Sequence, residues 1–184
     1  LRIGSTVAIA PADNPQIAVL IIVDEPKGSV YGSVVAAPYI ANFLDEALAE
    51  AADRNLPMFV VCHVPCNGVN GLDTIWPDNG LNENSDAVKA IMEKYKNVFF
   101  ISGHVHTGIN GPLVENIFGF SCVETHNGVN YINLPTYMIV NRYGVPWGGM
   151  GFQMEVYEDQ VLFRARNFAS SKWYPVYDHS VNLV

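Results

Sequence analysis

Residues 99–108, FFISGHVHTG, decide how the rest of this chain is read. Phe99 to Ile101 belong to an apolar run suited to a buried strand, and Gly103-His104-Val105-His106 stands at its mouth. Histidines two apart at a strand exit can share one face, and the glycine before them permits a tight exit. A second run, LPMFVVCHVP at residues 56–65, ends the same way at His63. In parallel α/β architecture, ligands collect at the carboxyl ends of strands. Neutral imidazole suits Zn, Fe or Mn(II), and such ions make hydroxide available near neutral pH. His63, His104 and His106 are therefore candidate metal ligands. The plainer reading is that each is a hydrogen-bonded residue at a strand end.

Working outward, the elements on either side alternate. A helix is expected over residues 38–53, with Tyr39, Ile40, Phe43, Leu44, Ala47 and Leu48 at helical spacing. Residues 58–61 form the strand before His63. A polar loop rich in Gly, Asn and Asp follows at 67–84, and then a helix capped by Ser85 or Asp86 that runs to Tyr95. Its expected inner face is Ala87, Val88, Ile91 and Met92. Beyond residue 106 the pattern is all-β: strands at 121–125 and 129–134, and a hairpin of 152–157 and 161–166 turned by Glu158-Asp159. Toward the N-terminus, residues 5–10 and the β-branched run 16–24 read as strands around a Pro-Ala-Asp-Asn-Pro turn.

Composition excludes several classes. The 184 residues are 49% hydrophobic with a formal net charge of −8, which fits a globular protein and gives nucleic acid no basic patch to bind. The longest apolar run, residues 17–23, is too short to span a membrane. Three cysteines, Cys62, Cys66 and Cys122, are odd in number and too few for a disulfide framework. The chain starts at Leu1 and reads as a fragment.

The histidine-bearing part, residues 46–184, resembles the C-terminal half of a calcineurin-like metallophosphoesterase. LPMFVVCHVP is similar to that family's strand ending in a single His, and ISGHVHTG to its final Gly-His-x-His motif. The resemblance implies an α/β fold: a partial sandwich of two sheets with flanking helices, and a phosphoester small molecule as substrate. It also implies two metal ions (Mn, Fe or Zn) bridged by a hydroxide that attacks phosphorus. His63 and His104 would sit on one ion and His106 on the other. The family's Asp-x-His, Gly-Asp-x-x-Asp and Gly-Asn-His motifs have no counterpart here. Three imidazoles divided between two metals cannot hold a dinuclear centre, so little or no turnover is expected.

Residues 3–50 resemble a different family. APADNP, DEP and YGSVVAAP look like the last two strands and C-terminal helix of a penicillin-binding protein transpeptidase domain. This implies an N-terminal β-hairpin and helix spanning residues 1–50, with the helix at 38–53 shared between the two parts. It also implies the outer face of a bacterial membrane, a location on which the phosphoesterase resemblance is neutral. That family's acyl transfer needs Ser-x-x-Lys and Lys-Thr-Gly, and neither occurs here. The two resemblances meet at FLDEALAEAADRNLP, residues 43–57, an amphipathic stretch at home in both. The expected organisation is a chimera: a non-catalytic transpeptidase tail joined near residues 45–55 to half a phosphoesterase. Exposed sheet edges left by the missing half would favour self-association or pairing with a chain that completes the site.

Weaker signals stand alongside these. Cys62, His63 and Cys66, with Cys122, could form a zinc cluster, though buried cysteine explains the same spacing. His126 reads as a turn residue. Asp73, Asp78, Glu83 and Asp86 read as a solvated acidic face from which one carboxylate could complete a ligand set. Trp147-Gly148-Gly149 and Trp173-Tyr174 read as core or rim packing.

Overall fold

The computed structural model describes residues 3–10, 17–24, 37–112, 119–138 and 148–184, with side chains from residue 43 onward. Its fold is α/β, built on two four-stranded sheets with few helices. Strands β1 (Ile3–Ala10) and β2 (Ile17–Asp24) form a separate antiparallel ribbon, with β1 lying alongside the strand at 58–61. Helix α1 (Ala37–Ala52) follows, one residue earlier at each end than expected. Next come β3 (Met58–Val61), the short α2 (Leu72–Ile75), α3 (Ser85–Met92) and β4 (Val98–Ser102). The hairpin of β5 (Val123–His126) and β6 (Val129–Asn133) completes the first sheet, in the order β3-β4-β6-β5. β3, β4 and β6 are parallel, and β5 pairs antiparallel to β6.

The second sheet is antiparallel. It comprises β7 (Met150–Val156), β8 (Gln160–Asn167), the two-residue β9 (Lys172–Trp173) and β10 (His179–Asn182), with β8 central. β9 and β10 carry too few apolar residues to be expected from periodicity. They exist because β8 offers each of them a ladder edge.

β4 shows why its sequence is apolar throughout. Phe99 faces one cluster together with Ile132 of β6 and with Val161, Phe163 and Ala165 of β8, so this face is the contact between sheets. Val98 and Phe100 face the opposite way, toward Leu44 and Leu48 of α1 and Val88 and Met92 of α3. A central parallel strand is covered on both faces, and period two sends neighbours into different layers. Helix α1 is thus part of the helical layer over this sheet. Asp45 accepts hydrogen bonds from Lys94 and Tyr95 just beyond α3, each at 2.7 Å.

Some local expectations are corrected. Ser85 is the first residue of α3 rather than its cap, and its Oγ accepts the backbone N–H of Asn67 at 2.8 Å. α3 stops at Met92, where Lys94 and Tyr95 bond back three residues in a tightened last turn. Ala87 is exposed; the inner face is Ser85, Val88 and Met92, with Ile91 half-buried against the same cluster. The loop at 67–84 is not a plain polar loop, because Val69, Leu72, Ile75 and Leu81 are buried within it. His126 ends β5 instead of lying in the turn. The turn is Asn127-Gly128 with φ of 48° and 82°, the left-handed pair that a two-residue hairpin requires. Trp147 lies outside the described residues.

Candidate metal half-site

β3 and β4 run parallel and in register, so their carboxyl ends emerge side by side. The pairing continues for two bonds beyond β3: the Cys62 N–H donates to the Ile101 carbonyl at 3.0 Å, and the Gly103 N–H to the His63 carbonyl at 3.1 Å. The second bond sets His63 beside His104. Their rings meet edge to face at 5.1 Å and 76°, with His104 Nδ1 3.2 Å from His63 Nε2.

The backbone at His104 is unusual. Its φ is +69°, and the Val105 N–H donates to the Gly103 carbonyl at 2.7 Å. A three-residue turn with positive φ at its centre is the strained form of the γ-turn, rare for a side chain other than glycine. His106 also has positive φ, at 54°. Such backbone persists only where its surroundings over-determine it. Asn133, fully buried at the end of β6, does much of this. Its Nδ2 donates to the Gly103 carbonyl at 2.9 Å and to Ser102 Oγ at 3.1 Å, while its Oδ1 accepts from Thr107 Oγ1 at 3.2 Å. One amide therefore clamps the chain on both sides of the two histidines. Sequence reasoning missed Asn133, although its place at the end of a strand parallel to β4 was a usable signal.

Electrostatics favour the unprotonated form of His104. Partial burial lowers the His104 pKa below its ordinary value, and charge on His63 or His106 would lower it further. Neutral rings leave lone pairs available. At 3.2 Å one ring N–H can donate to the other ring, or both lone pairs can face a single ion. Two nitrogens each about 2.0–2.1 Å from one ion, at tetrahedral to octahedral angles, lie about 2.8–3.4 Å apart. The observed separation falls inside that window, so these two donors fit one transition-metal ion.

Among the described residues, no group of three His, Cys, Asp or Glu side chains could hold a metal ion. His106 is exposed and close enough for its charge to act on His104, but it is not part of such a set. The cysteine alternative is dispersed: Cys66 packs in the helical cluster, Cys122 in the intersheet cluster. Burial pushes the Cys66 thiol up to about 12, away from the thiolate a metal needs. Cys122 accepts the Asn110 N–H and reaches the Gly108 carbonyl. Asp73, Asp78, Glu83 and Asp86 are exposed. His126 pairs with Glu124 at 2.7 Å on the far edge strand.

A further residue reaches the pair. The Trp76 indole stacks on the His104 imidazole at 5.0 Å and 8°. It arrives from α2, in the loop that sequence reasoning treated as polar. Trp173, read as packing, has the guanidinium groups of Arg164 and Arg166 over its ring, at 4.4 and 4.7 Å from its centre.

No family model matches this chain, and no solved structure matches it. Among curated proteins, it is 43% identical over 50 residues to Stage V sporulation protein D of Bacillus subtilis (strain 168), a penicillin-binding-type protein. That match covers 27% of this chain and 8% of the relative's length. The similarity agrees with the transpeptidase resemblance; no comparison matches a metallophosphoesterase. Among the described residues, no helix is long and apolar enough to cross a membrane.

Proposed function

We propose that the N-terminal part of this chain is a non-catalytic portion of a penicillin-binding-type transpeptidase, related to cell-wall synthesis. The 43% identity over 50 residues carries this reading. The hairpin β1–β2 and helix α1 suit a role as terminal core strands and packing helix, which hold a domain together without supplying a nucleophile. This sequence lacks Ser-x-x-Lys, so no transpeptidase nucleophile can be carried over to it. Incubation with a fluorescent penicillin is expected to leave it unlabelled. Co-expression with a transpeptidase domain cut before its last two strands and helix is expected to restore labelling of that truncated partner, by strand addition. A partner that stays unlabelled overturns the reading.

A second reading is favoured by one observation, the 3.2 Å approach of His63 and His104. Residues 46–184 are then the histidine half of a metal-dependent phosphoester hydrolase. His63 Nε2 and His104 Nδ1 would hold one divalent ion, Mn, Fe or Zn. When bound, that ion would supply a hydroxide nucleophile near neutral pH. Within this chain, His63 and His104 orient their lone pairs, and Asn133 holds the turn that presents His104. His106 awaits a second ion that the described residues do not complete. Hydrolysis of an aryl phosphate with added Mn(II) is expected to stay near background, and rapid metal-dependent turnover would overturn the half-site reading. Sequencing of single DNA molecules across the codons for residues 40–60 tests the joining itself. A junction absent from every molecule would separate the two parts into two genes.

A further inference from the structure

His104 carries two restraints beyond its backbone: His63 against its edge and Trp76 against its face. The second has no counterpart in any motif read from the sequence. A parallel stack leaves both ring nitrogens free in the plane of the imidazole. A hydrogen bond to the ring edge would instead consume one of them. Trp76 therefore fixes the ring without competing for its lone pairs.

The loop that delivers Trp76 is itself tightly held. Leu72 is fully buried and Ile75 nearly so, and the Trp76 N–H donates to the Leu72 carbonyl at 2.7 Å. Gly71, at φ +68°, starts this turn where a Cβ would lie 1.8 Å from the Gly119 carbonyl oxygen. Only glycine permits that approach. One residue earlier, the Asn70 N–H donates to Glu124 Oε1 at 2.6 Å, and the Asn70 amide donates to the Ser121 and Tyr131 carbonyls. Bonds at the start of the turn thus tie this loop to the body of the sheet, and burial of Leu72 and Ile75 holds the turn that presents the indole.

We propose that Trp76 is a positioning residue for His104, holding the imidazole plane so that Nδ1 faces the same point as His63 Nε2. The inference rests on the half-site reading for its consequence, but not for its geometry. Support of this kind behind a metal ligand changes affinity about 10–100-fold when removed.

The test uses the full chain with Trp76→Phe and Trp76→Leu. Phenylalanine keeps an aromatic face, whereas leucine keeps apolar bulk without one. Co(II) alone is titrated calorimetrically, and the His104 ring protons are followed by NMR in the absence of metal. In the wild type those protons are expected upfield, shielded by the indole. The leucine variant is expected to lose the shielding and bind Co(II) about tenfold more weakly. The phenylalanine variant should keep partial shielding and bind within about threefold of wild type, well short of that loss. Unshielded His104 protons in the wild type, or a leucine variant that binds Co(II) like the wild type, overturn the proposal. A wild type that binds no Co(II) overturns the half-site reading instead. A second or broadened set of His104 ring signals in the leucine variant, against a single sharp set in the wild type, would then still uphold the positioning by Trp76.

Discussion

The two sheets obey local rules to different degrees. β8, at the centre of the antiparallel sheet, alternates buried and half-buried positions along its whole length. Its inward Val161, Phe163 and Ala165 join the core, while outward Arg164 pairs with Glu155 and covers Trp173. β4, at the centre of the parallel sheet, is apolar on both faces and then breaks the rules at its carboxyl end. There two histidines adopt positive φ within three residues, against another imidazole and a stacked indole. Local consistency marks the part that builds the fold, and local violation marks the part available for chemistry. The contrast with His179 is of the same kind. It is buried in β10, with Nε2 2.9 Å from the Asn110 carbonyl and its ring edge-on to Phe152, and no backbone strain attends it.

The largest expected effect tests whether the two sheets share one core. Phe163 of β8 contacts Phe99 of β4 and Phe152 of β7, with ring centres 6.2 and 6.1 Å away. Phe163→Ala is expected to cost about 3–5 kcal/mol, read from the urea midpoint. A loss under about 1 kcal/mol would mean that the sheets do not depend on each other, given the usual cost of a buried ring. Next comes the clamp that separates the ordinary strand from its strained end. Asn133→Ala leaves buried hydrogen-bonding groups at Ser102, Gly103 and Thr107 without this partner, and is expected to cost about 1–3 kcal/mol. Backbone signals at residues 102–107 should move in the same variant, with those of β8 unchanged. If β8 moves equally, Asn133 supports the core at large rather than the strained turn.

The smallest effect is a pH dependence assigned to the strained end. The folded state lowers the His104 pKa, mainly by burial, from the 6.5 of the unfolded chain. Below that value the unfolded chain binds the proton more readily than the folded one. Stability from this group is therefore full above pH 6.5, falls as pH drops through it, and levels once the lowered folded value is passed. Denaturation at pH 5 and pH 7 should show this difference in the wild type and a smaller one in His104→Gln. His179→Gln is a poor substitute, because it alters the core; an unchanged pH slope in His104→Gln would assign the dependence elsewhere.

Much of the fold was legible because its signals are local. The apolar runs at 58–61 and 98–101, the helical spacing in α1, and the β7–β8 hairpin each declare themselves within one element. The errors fall where distant contacts override local pattern. Leu72 and Ile75 sit in a segment dominated by Gly, Asn and Asp, yet they are buried because the loop folds back on the sheet. β9 and β10 are short and mixed in character, and are strands because β8 supplies their partners.

For the candidate site, the sequence alone determined which imidazoles stand at strand ends and which motifs are missing. Both follow from residue type and spacing along one stretch of chain. It also showed that Ser-x-x-Lys, the nucleophile motif expected from the transpeptidase resemblance, does not occur in this sequence. Only the tertiary structure decided that His63 and His104 approach to 3.2 Å while His106 joins no ligand group among the described residues, and that Trp76 and Asn133 lie against the arrangement. These residues come from four segments separated by 13 to 70 positions. The register of β3 on β4 and β4 on β6 sets the distances between the strand ends, and the buried anchors of the α2 loop place Trp76 against them. Neither strand pairing nor loop docking is written in any one segment, because each depends on apolar surfaces that meet only when the chain closes on itself.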